Sequence, residues 1–250
     1  MPDFAAPLGA NDAGCPAPID QSRRAYAEGW AINAAHYERQ GLYAQLAERL
    51  GPQPRLLDLG CGLGHGLAAL RADAWIGVDE NPYALAAAAD RLGVSASLIQ
   101  SDLLRPDPAL NALGSFDAVT LWFPGTHPAR VQDPVVRAHG LTEDARYVVA
   151  MQLIALRLAA VRLREGGVVQ IVDRAAEDDP AVVAAAYREN LRAMAAGLPL
   201  ALTEVAVIPY TEPAAGIAVG SARLDRRSRP TWAVSLLLQK GKPRRVATAG

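Results

Sequence analysis

The chain has 250 residues, 51% of them hydrophobic and 20% charged, with a formal net charge of −1. That length and apolar content suit one α/β domain with a sizeable core, and the near-neutral balance provides no global field to recruit nucleic acid or an anionic membrane. No run of eighteen apolar residues and no basic segment leading into an apolar one marks a membrane span or a leader, so a cytoplasmic protein without membrane contact is expected. Of the two cysteines, Cys61 lies in a glycine-rich turn, where a bridge to Cys15 would obstruct that turn; a small residue filling a tight space is the reading adopted.

Residues 1–20 are rich in Ala, Pro, Gly and Asp without periodicity, and a disordered tail is expected there and again over 241–250. Gln21 to Leu50 reads as a helical stretch interrupted at Gly41, forming an N-terminal cap ahead of one domain over 51–240. Within the cap Tyr26, Trp30, Asn33 and Tyr37 are spaced four, three and four apart and share one helix face. Such a face closes over a ligand or docks the helix, and the residues alone leave both open.

Short apolar strands then alternate with helical segments: Arg55–Asp58, Ala74–Val78, Ser97–Gln100, Ala118–Trp122 and Val168–Val172. Asn81-Pro82, Thr142-Glu143-Asp144 and Asp179-Pro180 open helices, the last two over Glu143–Leu163 and Pro180–Ala196. The alternation predicts a doubly wound, mostly parallel sheet covered on both faces. Ala201–Ile208 and Thr231–Gln239 have no helix between them and form a C-terminal hairpin, whose arginines 223, 226, 227 and 229 read as a solvated tip or a grip on an anionic substrate or RNA. Pro124 to Leu141 holds three prolines and two glycines and is expected to be a functional loop with little regular structure.

The densest signal is Leu56-Leu57-Asp58-Leu59-Gly60-Cys61-Gly62-Leu63-Gly64-His65-Gly66, a strand, a tight turn and a helix start in succession. Asp79 follows nineteen residues after Gly60, at the end of a second strand, where an acid can accept both hydroxyls of a ribose. The dinucleotide register Gly-x-Gly-x-x-Gly fails twice, falling on His65 or on Leu67. What remains, Asp58-x-Gly60-x-Gly62-x-Gly64, resembles the first motif of the class I S-adenosylmethionine-dependent methyltransferases, and Asp79 matches that family's ribose-binding acid. Ile99-Gln100-Ser101-Asp102-Leu103 resembles the adenine-contacting segment, Phe116 to Trp122 the fourth strand, and Leu163 to Val169 the turn into the fifth.

The resemblance covers roughly 54–240. It implies a Rossmann-like seven-stranded sheet with an antiparallel last strand. The cofactor would be S-adenosyl-L-methionine, with Asp58 and the Gly60–Gly64 backbone holding its methionine portion, Asp79 the ribose, and Asp102 with Leu103 the adenine. Tyr26, Trp30 and Tyr37 would close over the donor, a ring near the sulfonium and a hydroxyl on the methionine carboxylate. Glu80 is expected to face solvent, and His65 to shape the turn. Methyl transfer is an in-line displacement, so alignment is the first requirement; a base helps only where the acceptor must lose a proton. His127, five residues past Trp122, is the candidate base, against the alternative of a loop histidine placed by Pro128.

Trp122-Phe123-Pro124-Gly125 departs from the Asn/Asp-Pro-Pro-aromatic motif of enzymes that methylate planar amino groups in nucleic acid or glutamine. No acid follows the fourth strand to join Asp173, so no metal site is expected. The reading is therefore a metal-independent methyltransferase acting on a small or medium organic acceptor, with oligomeric state open. RNA or a peptide as acceptor and a non-catalytic donor-binding module are the alternatives.

Overall fold

Alternation along the strands divides the protein into two cores, one on each face of a single sheet. The computed structural model describes residues 18–93, 97–105, 110, 112–131, 133–137, 143–217 and 230–241. In chain order the elements are α1 (Pro18–Arg39), α2 (Leu42–Leu50), β1 (Gln53–Leu59), α3 (His65–Ala69), β2 (Ala72–Asp79), α4 (Pro82–Leu92), β3 (Leu98–Gln100), β4 (Phe116–Trp122), α5 (Pro128–Val131), α6 (Pro134–Arg137), α7 (Glu143–Arg162), β5 (Leu163–Ala176), α8 (Pro180–Met194), β6 (Leu200–Tyr210) and β7 (Thr231–Lys240). Of the expected tails, only residues 18–20, which open α1, and Gly241 lie within the described residues.

The sheet has seven strands in the order β3-β2-β1-β4-β5-β7-β6. β3, β2, β1, β4 and β5 are parallel, while β7 is antiparallel to both β5 and β6. The hairpin therefore places its second strand inside the sheet and its first at the edge. β5 is longer than expected because Leu163 already pairs with Phe116 and the chain bulges before Val168 pairs with Ala118. A polar Arg-Glu-Gly-Gly bulge reads as a turn in sequence and is held as strand by its neighbours.

Period-two alternation sends Leu57, Leu59, Val119, Leu121, Val169 and Ile171 to the face covered by α7 and α8. Leu56, Ala118, Trp122 and Val172 face α1, α2 and α3. Between these apolar positions, Thr120 donates to Asp58 at 2.6 Å, while Gln170 accepts from Trp122 Nε1 at 3.1 Å and donates to Leu46 O and Ser235 Oγ. Each buried polar group on this row has a partner, as burial requires.

Helix starts follow their capping residues. Asn81 accepts from the Tyr83 N–H ahead of Pro82, and Asp179 accepts from the Ala181 N–H ahead of Pro180. The Pro124–Leu141 segment departs from expectation, because α5 and α6 form within it; Leu141 itself lies outside the described residues. Asp133 between them accepts from the Val135 N–H and pairs with Arg105, which stops one short helix and starts the next. Among the described residues no helix is long and apolar enough to cross a membrane.

Candidate active site

The carboxyl ends of β1, β2 and β4 open into one cleft of about 950 Å³, partly open to solvent. Its floor is the glycine turn. Gly60, Gly62 and Gly64 hold φ of 68°, 53° and 78°, a left-handed path that side chains oppose. The turn closes on Asp79, whose Oδ2 accepts from the Gly62 N–H at 2.9 Å and whose Oδ1 accepts from the Asn81 N–H at 2.8 Å. Burial pushes the Asp79 carboxyl up to about 6 against those two donors. With the Glu80 backbone also acting on it, the carboxylate still has acceptor capacity for a ligand.

Asp58 lies in β1, buried, and burial lifts its carboxyl to about 7, with the Thr120 hydrogen bond working in the opposite direction. Asp58, Asp79, Glu80 and Asp102 all line the cleft, and among the described residues no Lys or Arg side chain does. The wall is thus rich in carboxyl groups, of which Glu80 and Asp102 are paired with arginines outside it, and His65 lines it as well. Cys61 lines the turn as a buried free thiol held up by burial, in keeping with a small filler. His65 starts α3, stacks on Tyr43 and lies 3.2 Å from Glu38; burial and the Arg91 charge keep its pKa low. It lines the cleft where the turn passes into α3.

α1 forms the roof through Tyr26 and Trp30. Arg23, one turn earlier, fastens the helix by pairing with Glu80 at 2.7 Å, while Asn81 donates to the Arg23 carbonyl. Glu80 is therefore not solvated. Although burial works against it, His127 and Arg23 hold its carboxyl below the usual range. At the far wall Phe123 takes φ 54°, unusual for a bulky residue, in a cage of Trp30, Tyr37 and Tyr43 rings with centroids 5.4–6.4 Å away.

The Tyr26 hydroxyl occupies the space that a Cβ on Gly125 would need. Gly125→Ala should accordingly destabilise the protein by about 1–3 kcal/mol through overpacking. Because only the hydroxyl is displaced, adding Tyr26→Phe should restore most of the loss in thermal unfolding. A double variant no better than the single would show that the crowding arises elsewhere.

The expected aromatic stripe divides. Tyr26 and Trp30 line the cleft, but Tyr37 does not. Its hydroxyl donates to Glu212 at 2.7 Å and accepts from Arg174 at 3.0 Å and Asn33 at 3.2 Å, so it is not positioned for a methionine carboxylate. A helix face of this length curves away from the cleft, and its second half docks on the segment after β6.

His127 also differs from expectation. It is buried beneath the loop, does not line the cleft, and has Nε2 3.4 Å from Glu80 Oε1. Both ring nitrogens lack hydrogen-bond partners among the described residues. It thus stands beside the residue that follows Asp79, on the β2 side, rather than at the end of β4. Asp102 lines the cleft but is held by Arg130, from Nη1 to Oδ2 at 3.0 Å and from Nη2 to Oδ1, while also accepting from the Leu104 N–H. Leu103 is buried in the lining.

Arg130, Arg23, Arg174 and Glu212 escaped the sequence reading because an isolated charge carries no local sign of its distant partner. The arginines at 223, 226, 227 and 229 lie outside the described residues.

No family model and no curated protein matches the chain. Solved structures do. The N-methyltransferase NodS from Bradyrhizobium japonicum WM9, in complex with S-adenosyl-L-homocysteine, is similar with a TM-score of 0.52 at 16% identity, over 89% of this chain and 98% of that one. A chain of the complex formed by the Haloferax volcanii Trm112 methyltransferase activator also matches, with a TM-score of 0.52 at 16% identity, over 91% of this chain and 100% of that one. Likeness at this identity is one of fold, and it agrees with the strand order, the antiparallel β7 and the glycine turn after β1. The chain has the fold of the class I, Rossmann-like, S-adenosylmethionine-dependent methyltransferases.

Proposed function

We propose that the protein is an S-adenosylmethionine-dependent methyltransferase that acts, without a metal, on a small or medium organic acceptor. The carrying observation is the left-handed glycine turn hydrogen-bonded to Asp79 in a cleft lined by four acids and, among the described residues, no Lys or Arg side chain. The residues present fit the donor. Asp79 retains acceptor capacity for a ribose hydroxyl, Leu103 offers an apolar wall for adenine, and Asp58 with the turn backbone suits the methionine portion. A lining rich in carboxyl groups favours a sulfonium cation over a dinucleotide with two phosphates.

The bound donor supplies an activated methyl group, leaving the protein to align the acceptor and exclude water. Trp30, Trp122 and Phe123 enclose the β1–β4 side with aromatic faces, which attract a cation. Burial holds the Tyr26 hydroxyl well above the usual tyrosine range, so it acts as a donor and not as a base. His127, on the β2 side, is assigned to holding Glu80 and with it the adenosine end. With that assignment alignment alone carries the reaction, which requires an acceptor already nucleophilic near neutral pH.

The test is calorimetry with S-adenosylmethionine, S-adenosylhomocysteine and NAD. Binding of the first two and not of NAD is expected, and the reverse pattern would overturn the reading.

The same measurement should depend on pH. Asp58 and Asp79, at about 7 and about 6, are partly protonated near neutrality in the free protein. Both are raised carboxylates, so their contribution to fold stability is present below their ordinary value and is lost as pH rises through 6 and then 7. A cationic donor favours their charged forms, so its affinity should climb by roughly three- to tenfold per pH unit across that window, with proton release on binding. Calorimetry in buffers of different ionisation enthalpy reads the released proton; a flat profile would remove Asp58 and Asp79 from contact with the donor.

A further inference from the structure

Arg174 is the largest unassigned feature beside the cleft. Gln170, Val172 and Arg174 alternate onto the cap-side face of β5, and Val172 is level with Trp122, the last residue of β4. Arg174 therefore projects just past the end of β4, one strand farther from Asp79 than β4 itself. A donor held by β2, β1 and β4 would leave this end of β5 to the acceptor.

The guanidinium is mostly buried, with 11% of its side chain exposed. Its Nη1 is shared among Tyr37 Oη at 3.0 Å, Ile217 O at 3.2 Å and Glu212 Oε1 at 3.3 Å. Nη2 and Nε have no hydrogen-bond partner among the described residues, so three of the five N–H donors are without a partner there. Two of them, Nε–H and the Nη2–H beside it, form the side-on edge, the parallel N–H pair that matches a carboxylate in bidentate geometry. The Cζ atom stands 5.1 Å from the ring centroid of Trp30, itself a cleft residue, and Arg174 is the charge that acts most on the Tyr26 hydroxyl. Glu212 and Tyr37 fix the Nη1 side, which leaves the opposite edge preorganised.

Resting on the methyltransferase reading, we propose that the Nε–Nη2 edge of Arg174 binds a carboxylate carried by the methyl acceptor, with the Tyr26 hydroxyl as a neighbouring donor. The acceptor is thus a carboxylic acid, bound by its anionic end with its nucleophilic atom turned toward the cleft. A group that only accepts hydrogen bonds satisfies both residues, whereas an amide would present an N–H to an N–H.

The test uses protein loaded with S-adenosylhomocysteine and two matched probe pairs, benzoate with benzamide and phenylacetate with phenylacetamide, followed by ligand-observed NMR. Each acid should bind the wild type at least tenfold more tightly than its amide. That preference should vanish in Arg174→Gln and shrink in Arg174→Lys, which keeps the charge beside Glu212 but loses the fork, while S-adenosylhomocysteine affinity stays within twofold. Equal binding of acid and amide to the wild type overturns the proposal and needs no variant to fold. Loss of S-adenosylhomocysteine affinity in folded Arg174→Gln also overturns it, by giving the guanidinium to the donor's own carboxylate. A wild type that fails to bind S-adenosylhomocysteine would instead overturn the methyltransferase reading, and this proposal with it.

Discussion

Asp79→Asn should weaken S-adenosylhomocysteine binding by roughly 2–4 kcal/mol, the scale of a pair of charge-assisted hydrogen bonds lost from a buried site. The carboxylate accepts from the Gly62 and Asn81 N–H groups through different oxygens and has acceptor capacity left for a ribose hydroxyl. An amide has one accepting oxygen, so its NH₂ must face either a backbone N–H or a hydroxyl that needs an acceptor. The turn and the ligand therefore lose together. Circular dichroism on the same sample separates a distorted turn from an unfolded chain, and titration calorimetry gives the affinity. An unchanged dissociation constant would place the ribose away from β2.

Glu212→Gln should have the largest effect on stability, about 3 kcal/mol or more, because it leaves the Arg174 guanidinium buried beside a neutral group. Burial opposes the arginine's charge, and the neighbouring Tyr37, Tyr210 and Glu212 outweigh it to raise its pKa. Glu212 also accepts from the Tyr37 and Tyr210 hydroxyls and from Asn33, so the change disturbs the hydrogen bonds that dock the second half of α1. For a chain of this size the expected fall in Tm is roughly 6–12 °C. Since apolar replacement of both members of a buried pair is often neutral, Arg174→Met with Glu212→Met should recover much of the loss. A single variant within 0.5 kcal/mol of wild type, a difference too small for a buried pair, would show that the cluster is well hydrated and that α1 is held by other contacts.

The glycine turn, the acid ending β2 and the alternation of strands and helices were legible in the sequence because each is a local property. A left-handed path demands glycine where it occurs, a capping side chain acts within one helical turn, and the side-chain period of a strand divides its residues between two faces without reference to partners. The cap was legible for the same reason, since the spacing of Tyr26, Trp30, Asn33 and Tyr37 is a helical spacing. How that face is used was decided only by tertiary structure. The 211–217 segment arrives from the far edge of the sheet, where Glu212, together with Arg174 of β5, takes the Tyr37 hydroxyl; Ile217 bonds Asn33 through its N–H at 2.6 Å. Trp30 and Tyr26 remain over the cleft. Likewise Asp102 and His127 were legible as polar residues that follow strands, but their surroundings depend on Arg130 and Glu80, charges brought to them across 28 and 47 residues of chain. Local chemistry determines which backbone can form and which groups are able to act, whereas pairing among buried charges depends on which elements pack together.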